Sequence, residues 1–99
     1  MNRDTIFIIS VGIIHVLAYI FATCIPGQER DIISKIKKFD NVVEVNGIMS
    51  RYDIFIKVSA KKDIDLHATI TAIRDISAIT STATFLAIKG QGGTLDQEK

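Results

Sequence analysis

The chain has 99 residues, 47% of them hydrophobic and 23% charged, with a formal net charge of +1. That length holds one small core and excludes a second, the composition excludes disorder, and the near-neutral charge excludes the broad electrostatic footprint of a nucleic-acid binder. The lone cysteine, Cys24, excludes an internal disulfide; lying in an apolar run, it reads as a buried, inert thiol.

In chain order, the first feature is the run from Ile6 to Ile25, which has no formal charge unless His15 is protonated. About twenty such residues match a helical membrane span. Arg3 and Asp4 cancel each other ahead of the run, which argues against a cleavable signal peptide. The competing reading is that two apolar pieces adjoin, and that Val16–Cys24 is a central strand buried on both faces, which shows no alternation. Next, "PGQERDIISKIKKF" predicts a helix. Pro26 and Gly27 break the strand, Glu29 and Asp31 suit the positive end of the helix dipole, and Lys35, Lys37 and Lys38 suit the other end. Ile32, Ile33, Ile36 and Phe39 supply one apolar stripe.

"NVVEVNGIM" predicts a strand interrupted at Gly47, and "YDIFIKVSA" predicts a second in which Tyr52, Ile54, Ile56 and Val58 share one face. Their short connection through Ser50 and Arg51 requires an antiparallel hairpin. Asp63 is the expected N-cap of a second helix whose Leu66, Ile70 and Ile73 lie on one face. A last strand, "ITSTATFLAIK", alternates Thr80, Thr82 and Thr84 with Ser81, Ala83 and Phe85.

With Val16–Cys24 as the first strand, the order is βαββαβ. This is the α+β ferredoxin-like fold, an antiparallel sheet with two helices on one face. That fold needs Val16–Cys24 at the centre of its sheet, which favours a strand over a membrane anchor. The apolar face left open on so small a domain must be covered. A second copy is the simplest cover, hence a sheet-to-sheet dimer. The expected division is an apolar extension at 1–15, the domain at 16–88 and a flexible polar tail at 89–99.

From "HVLAYIFATC" onward the residues resemble the effector-binding domain of the Lrp/AsnC regulators, the RAM domain. The resemblance is carried by Ala18-Tyr19 in the first strand, by Pro26-Gly27 with its acidic-to-basic helix, and by Val42 to Val45. Tyr52-Asp53 before an apolar strand with Lys57, and the Thr-x-Thr of Thr82 and Thr84, complete it. It implies a non-catalytic domain that senses a small molecule, most simply an amino acid, and assembles as dimers and rings of dimers. In full-length regulators a helix-turn-helix domain of some fifty residues precedes this unit. Only fifteen residues precede it here, so the chain resembles a stand-alone form, acting in the cytoplasm through partners such as a full-length regulator, without touching nucleic acid itself. The resemblance puts the effector by the Tyr-Asp turn and the Thr-x-Thr strand, where neighbouring dimers meet. Asp53 would pair with an α-ammonium, while Thr82 and Thr84 and nearby backbone N–H groups would receive the α-carboxylate. The plain alternative for Asp53 is a turn carboxylate bonded to backbone. Tyr52 reads as a packing residue, and Arg51 as a solvated turn charge or a guard at the pocket mouth. One departure stands out: where the family usually has glycine two residues before the tyrosine, this chain has Ser50, which narrows the space for a ligand.

Little in the sequence points to an enzyme, a cofactor or a metal. His15 and His67 lack a metal-ligand spacing, and "GQGG" at Gly90–Gly93 follows the last strand without a helix to make a phosphate loop. The alternatives are a small ferredoxin-like dimeric enzyme, a membrane-anchored domain, and an ACT-like regulatory module, for which Gly27 at the first strand–helix turn keeps a ligand position.

Overall fold

The computed structural model describes residues 15–93. In chain order its elements are β1 (Val16–Cys24), α1 (Glu29–Ile36), β2 (Val42–Gly47), β3 (Ile54–Ala60), α2 (Asp63–Arg74) and β4 (Ile79–Leu86). The four strands form one sheet in the order β2-β3-β1-β4, with every neighbouring pair antiparallel. The βαββαβ expectation holds, and the apolar run from Val16 to Cys24 is the inner strand between β3 and β4.

Alternation along each inner strand sorts the side chains onto two faces. Ala18, Ile20, Ala22 and Cys24 of β1, with Ile54, Ile56, Val58 and Ala60 of β3, are buried beneath the helices. The helices close that layer with Ile32 and Ile36 from α1 and Leu66, Ile70 and Ile73 from α2. Burying each such aliphatic side chain contributes about 1.5–3 kcal/mol. The one buried polar side chain among the described residues, Thr69, is satisfied: its hydroxyl donates to Asp65 O (3.1 Å) and accepts from Asn41 Nδ2 (3.1 Å). That pair fastens the α1–β2 loop to α2.

The opposite face carries Leu17, Tyr19 and Phe21 from β1, Phe55 from β3 and Phe85 from β4. Phe21 is its hub, with ring centroids 5.3 Å from Phe55, 5.5 Å from Tyr52 and 6.1 Å from Phe85. No helix of the described residues lies on this face, and Phe85 is 57% exposed. It is the open apolar face expected from the sequence.

Several boundaries differ from the sequence expectations. Asp63 is the first residue of α2, and Lys62 is its N-cap with no side-chain cap bond. Asp63 and Asp65 therefore serve the helix by charge in the first turn. Tyr52 and Asp53 precede β3, which starts at Ile54, because the chain is still turning there. β4 pairs regularly only from Ser81 onward. A register shift between Thr23 and Cys24 leaves Thr80 as an extra residue, which breaks the simple alternation expected of Thr80, Thr82 and Thr84.

No helix of the described residues is long and apolar enough to cross a membrane. With Val16–Cys24 in the sheet, the part of the run that lies upstream is Ile6–His15, about half of the roughly twenty residues a helical span needs. The role expected for 1–15 falls outside the described residues except at His15, as does residues 94–99 of the expected tail.

Candidate functional site

The β2–β3 connection is held by backbone bonds and by the side chains of Ser50 and Asp53. Ile48 N–H donates to Asp53 O (2.9 Å) and closes the loop, while Asp53 N–H donates to Ala22 O (2.8 Å) and ties it to β1. The Asp53 carboxylate adds a third tie: its Oδ2 accepts from Cys24 N–H at 3.0 Å. Asp53 thus continues the β1–β3 ladder by one more rung with a side-chain oxygen. The local-backbone role weighed for Asp53 is present in a longer-range form, to a strand 29 positions away.

Ser50 holds the turn from within. Its hydroxyl oxygen accepts from Tyr52 N–H at 2.9 Å, an ST-turn. No non-glycine residue among those described has a positive φ, so the backbone at Ser50 is one that any residue adopts. Arg51 is exposed, and its Cζ lies 5.7 Å from the Tyr52 ring centroid, in cation–π range. Tyr52 in turn rests against Phe21. The Arg-Tyr-Asp cluster therefore divides its labour: Arg51 and Tyr52 extend the aromatic face, and Asp53 binds the end of β1.

Cys24 sits at this junction, buried and free. Burial pushes its thiol above the ordinary range, and the negative charges of Glu29 and Asp53 push it further the same way. The thiol stays protonated and unreactive at neutral pH. Glu29 faces the junction from the start of α1, where its Oε1 accepts from Gly27 N–H (3.0 Å).

Thr82 and Thr84 lie opposite Ala22 and Ile20 in the register, hence on the helix-covered side of edge strand β4. β1 separates them from Asp53, so Asp53 and Thr82 stand two strand spacings apart, about 10 Å. One chain does not bring them together. Thr82 instead lines a cleft of about 270 Å³ with Arg74, Ile79, Thr80 and Ser81, a lining with one cation, three hydroxyls and no carboxylate. Thr23 Oγ1 lies 2.7 Å from Thr80 Oγ1 and 2.6 Å from Ser81 Oγ, a hydroxyl cluster across the β1–β4 boundary. Sequence reasoning missed Thr23, Ser81 and Arg74. The register shift that gathers them leaves no local signal. Among the described residues no group of three His, Cys, Asp or Glu side chains could hold a metal, and His15 and His67 are both exposed.

Residues 17–90 match the family model described as the Lrp/AsnC ligand binding domain. The chain belongs to this family. Among solved structures, FFRP-DM1 superposes on this Lrp/AsnC-type domain with a TM-score of 0.70 and 32% identity, covering 74% of this chain and 99% of that one. AsnC of Escherichia coli superposes with a TM-score of 0.71 and 25% identity over 88% of this chain and 59% of its own. The HTH-type transcriptional regulator FL11 of Pyrococcus furiosus is 25% identical over 75 residues, which are 76% of this chain and 50% of that regulator. The chain thus spans half the length of the curated relative it matches. A regulatory, effector-binding role follows from the family, and its relatives are transcriptional regulators.

Proposed function

We propose that this Lrp/AsnC-type domain is a non-catalytic sensor of a free amino acid, acting in the cytoplasm as an oligomer and regulating through a partner, such as a full-length regulator of the same family, with no direct hold on nucleic acid. The observation that carries the reading is the Asp53 carboxylate, held at the end of β1 by Cys24 N–H through one oxygen. A carboxylate fixed in this way is a ready partner for an α-ammonium through its remaining lone pairs. Ser50, Arg51 and Tyr52 form the wall beside it.

On this reading one chain supplies only part of the site. In an amino acid the ammonium nitrogen and carboxyl carbon are about 2.5 Å apart, from the standard bond lengths and angle. Asp53 and Thr82 of the same chain are separated by an entire strand. One zwitterion therefore meets Asp53 from one copy and Thr82 and Thr84 from another, so sensing requires assembly. The open face supplies it: Phe21, Phe55, Tyr19 and Phe85 present an apolar surface that a second copy covers, and such dimers join into rings.

Isothermal titration against the twenty amino acids tests the proposal, with Asp53→Asn as control. At least one amino acid should bind, and the variant should lose about 2–5 kcal/mol, the scale for breaking a desolvated charge pair. Full binding by Asp53→Asn, or no binding by the unaltered chain, overturns it.

A further inference from the structure

The effector site proposed above gives the ligand's ammonium a full counter-charge in Asp53, but gives its carboxylate only the hydroxyls of Thr82 and Thr84. A carboxylate drawn from water into an interface between copies needs a cation or several fixed donors to offset its lost hydration. The cleft beside Thr82 holds both. It encloses about 270 Å³ and is lined by Arg74, Ile79, Thr80, Ser81 and Thr82, so the one charge in its lining is positive. Complete ligand sites usually occupy about 300–1,000 Å³, so this volume suits half of a site that another copy completes.

The turn from α2 into β4 places the guanidinium there. α2 ends at Arg74 and β4 begins at Ile79, and the short link is fixed by Asp75 N–H donating to Thr71 O (2.9 Å) and Ile79 N–H donating to Ile76 O (3.0 Å). Arg74 lines the cleft while its neighbour Asp75 does not. The register shift then brings both Thr80 and Ser81 to Thr23, their hydroxyl oxygens 2.7 and 2.6 Å from Thr23 Oγ1. Three O–H groups that share two hydrogen bonds leave one proton without an acceptor. Thr23 can donate only once, so in two of the three arrangements that proton sits on Thr80 or Ser81. Both line the cleft, and an anion in it selects those arrangements.

We propose that Arg74 is the cation that receives the effector's α-carboxylate, as a bidentate partner, with Thr82 and the spare hydroxyl of Thr80 or Ser81 beside it. This rests on the amino-acid reading of the Asp53 site. The other arginine near that site, Arg51, belongs to the ammonium half: it shares the loop of Asp53 and lies over the Tyr52 ring, its Cζ 5.7 Å from the centroid. Arg74 also suits the negative end of the α2 dipole, as a basic residue in a last turn does without any ligand. The dipole role bears on stability alone, whereas the ligand role decides between an acid and its amide.

The probes are the twenty free amino acids and their α-carboxamides, titrated by calorimetry into the full chain. At about pH 6.5 both series keep the ammonium for Asp53, because an α-amino group has a pKa of about 7.7–8.0. An amino acid that binds should do so at least about thirtyfold more tightly than its carboxamide. Arg74→Gln should cut that preference to under about threefold and leave carboxamide affinity within about twofold. Arg74→Lys, which keeps the charge without the fork, should retain an intermediate preference. Arg51→Gln should keep the preference whole. Asp53→Asn should weaken both series and keep their ratio, which separates this assignment from the reading it rests on. Arg74 loses the role, with the Asp53 site left standing, if Arg74→Gln keeps the full preference, weakens acid and amide alike, or yields to Arg51→Gln as the variant that abolishes it. If no amino acid binds the unaltered chain, both fall.

Discussion

Asp53→Ala should destabilise the domain even with no ligand present. The substitution deletes the acceptor of Cys24 N–H, a part-buried bond of 3.0 Å, and leaves the backbone tie from Asp53 N–H to Ala22 O in place. A hydrogen bond to a charged acceptor contributes about 1.5–3 kcal/mol. Because the donor is only part-buried, water partly replaces the lost oxygen, and the lower half of that range, about 1.5–2 kcal/mol, applies. For a domain of this size each kcal/mol moves the midpoint by about 4–8 °C, so Tm should fall by about 6–16 °C. Asp53→Asn keeps an oxygen in position and should cost only about 0.5–1 kcal/mol. Urea denaturation followed by circular dichroism measures both, at one fixed protein concentration because assembly shifts apparent stability. An unchanged m-value shows that the loss lies in the native state. If Asp53→Ala and Asp53→Asn are equal and both within about 0.5 kcal/mol of the unaltered chain, below the net contribution of a typical bond, the extra rung of the ladder contributes nothing and the argument fails.

Ser50→Gly removes the acceptor of Tyr52 N–H, and since Ser50 has no positive φ for glycine to relieve, stability should drop by about 1 kcal/mol in the same urea assay, while amino-acid affinity stays level or rises. Phe21→Asp places a charge at the hub of the open aromatic face and should convert the assembly to single chains by light scattering, with an unchanged mass contradicting a sheet-to-sheet dimer. Iodoacetamide should label Cys24 far more slowly in the native protein than in urea, because burial and neighbouring negative charge disfavour the thiolate. The same raised pKa makes a pH prediction: Cys24 contributes stability that is fully present below its unfolded-state pKa, about 8.5, and is lost as pH rises through the higher folded value. Cys24→Ala should flatten that alkaline loss.

The fold was legible because period and punctuation agree along most of the chain. In α1, Ile32 and Ile36 mark the buried stripe, and in β3, Ile54, Ile56 and Val58 alternate with Phe55 and Lys57. β1 hid its alternation because both its faces are apolar: Ala18, Ile20 and Ala22 under the helices, Leu17, Tyr19 and Phe21 on the open side. Its strand character came from what the other elements required. The site was less legible, for two physical reasons. The alternation of "YDIFIKV" runs unbroken through Asp53, although the backbone is still turning there, so the carboxylate's reach to Cys24 depends on a tertiary contact with no sequence signature. The register shift by Thr80 likewise decides which hydroxyls of "ITSTAT" meet Thr23, and a bulge in a run of small and β-branched residues without glycine or proline has no residue code.

The position of β4 at the border of the sheet has a consequence for handling this chain. Ile79–Leu86 contains no charged residue, no proline and no glycine, and among the described residues no strand pairs with its outer side. Natural sheets commonly blunt such borders with a lysine, a proline or a short strand. This one has eight residues rich in threonine and aliphatic side chains, the composition that stacks readily into cross-β fibrils when left unpaired. Among the described residues its one irregularity is the register shift at its first residues. If the proposed assembly covers this border, dilution, truncation or any substitution that separates the copies should raise the tendency to form fibrils, with Ile79–Leu86 as the seed.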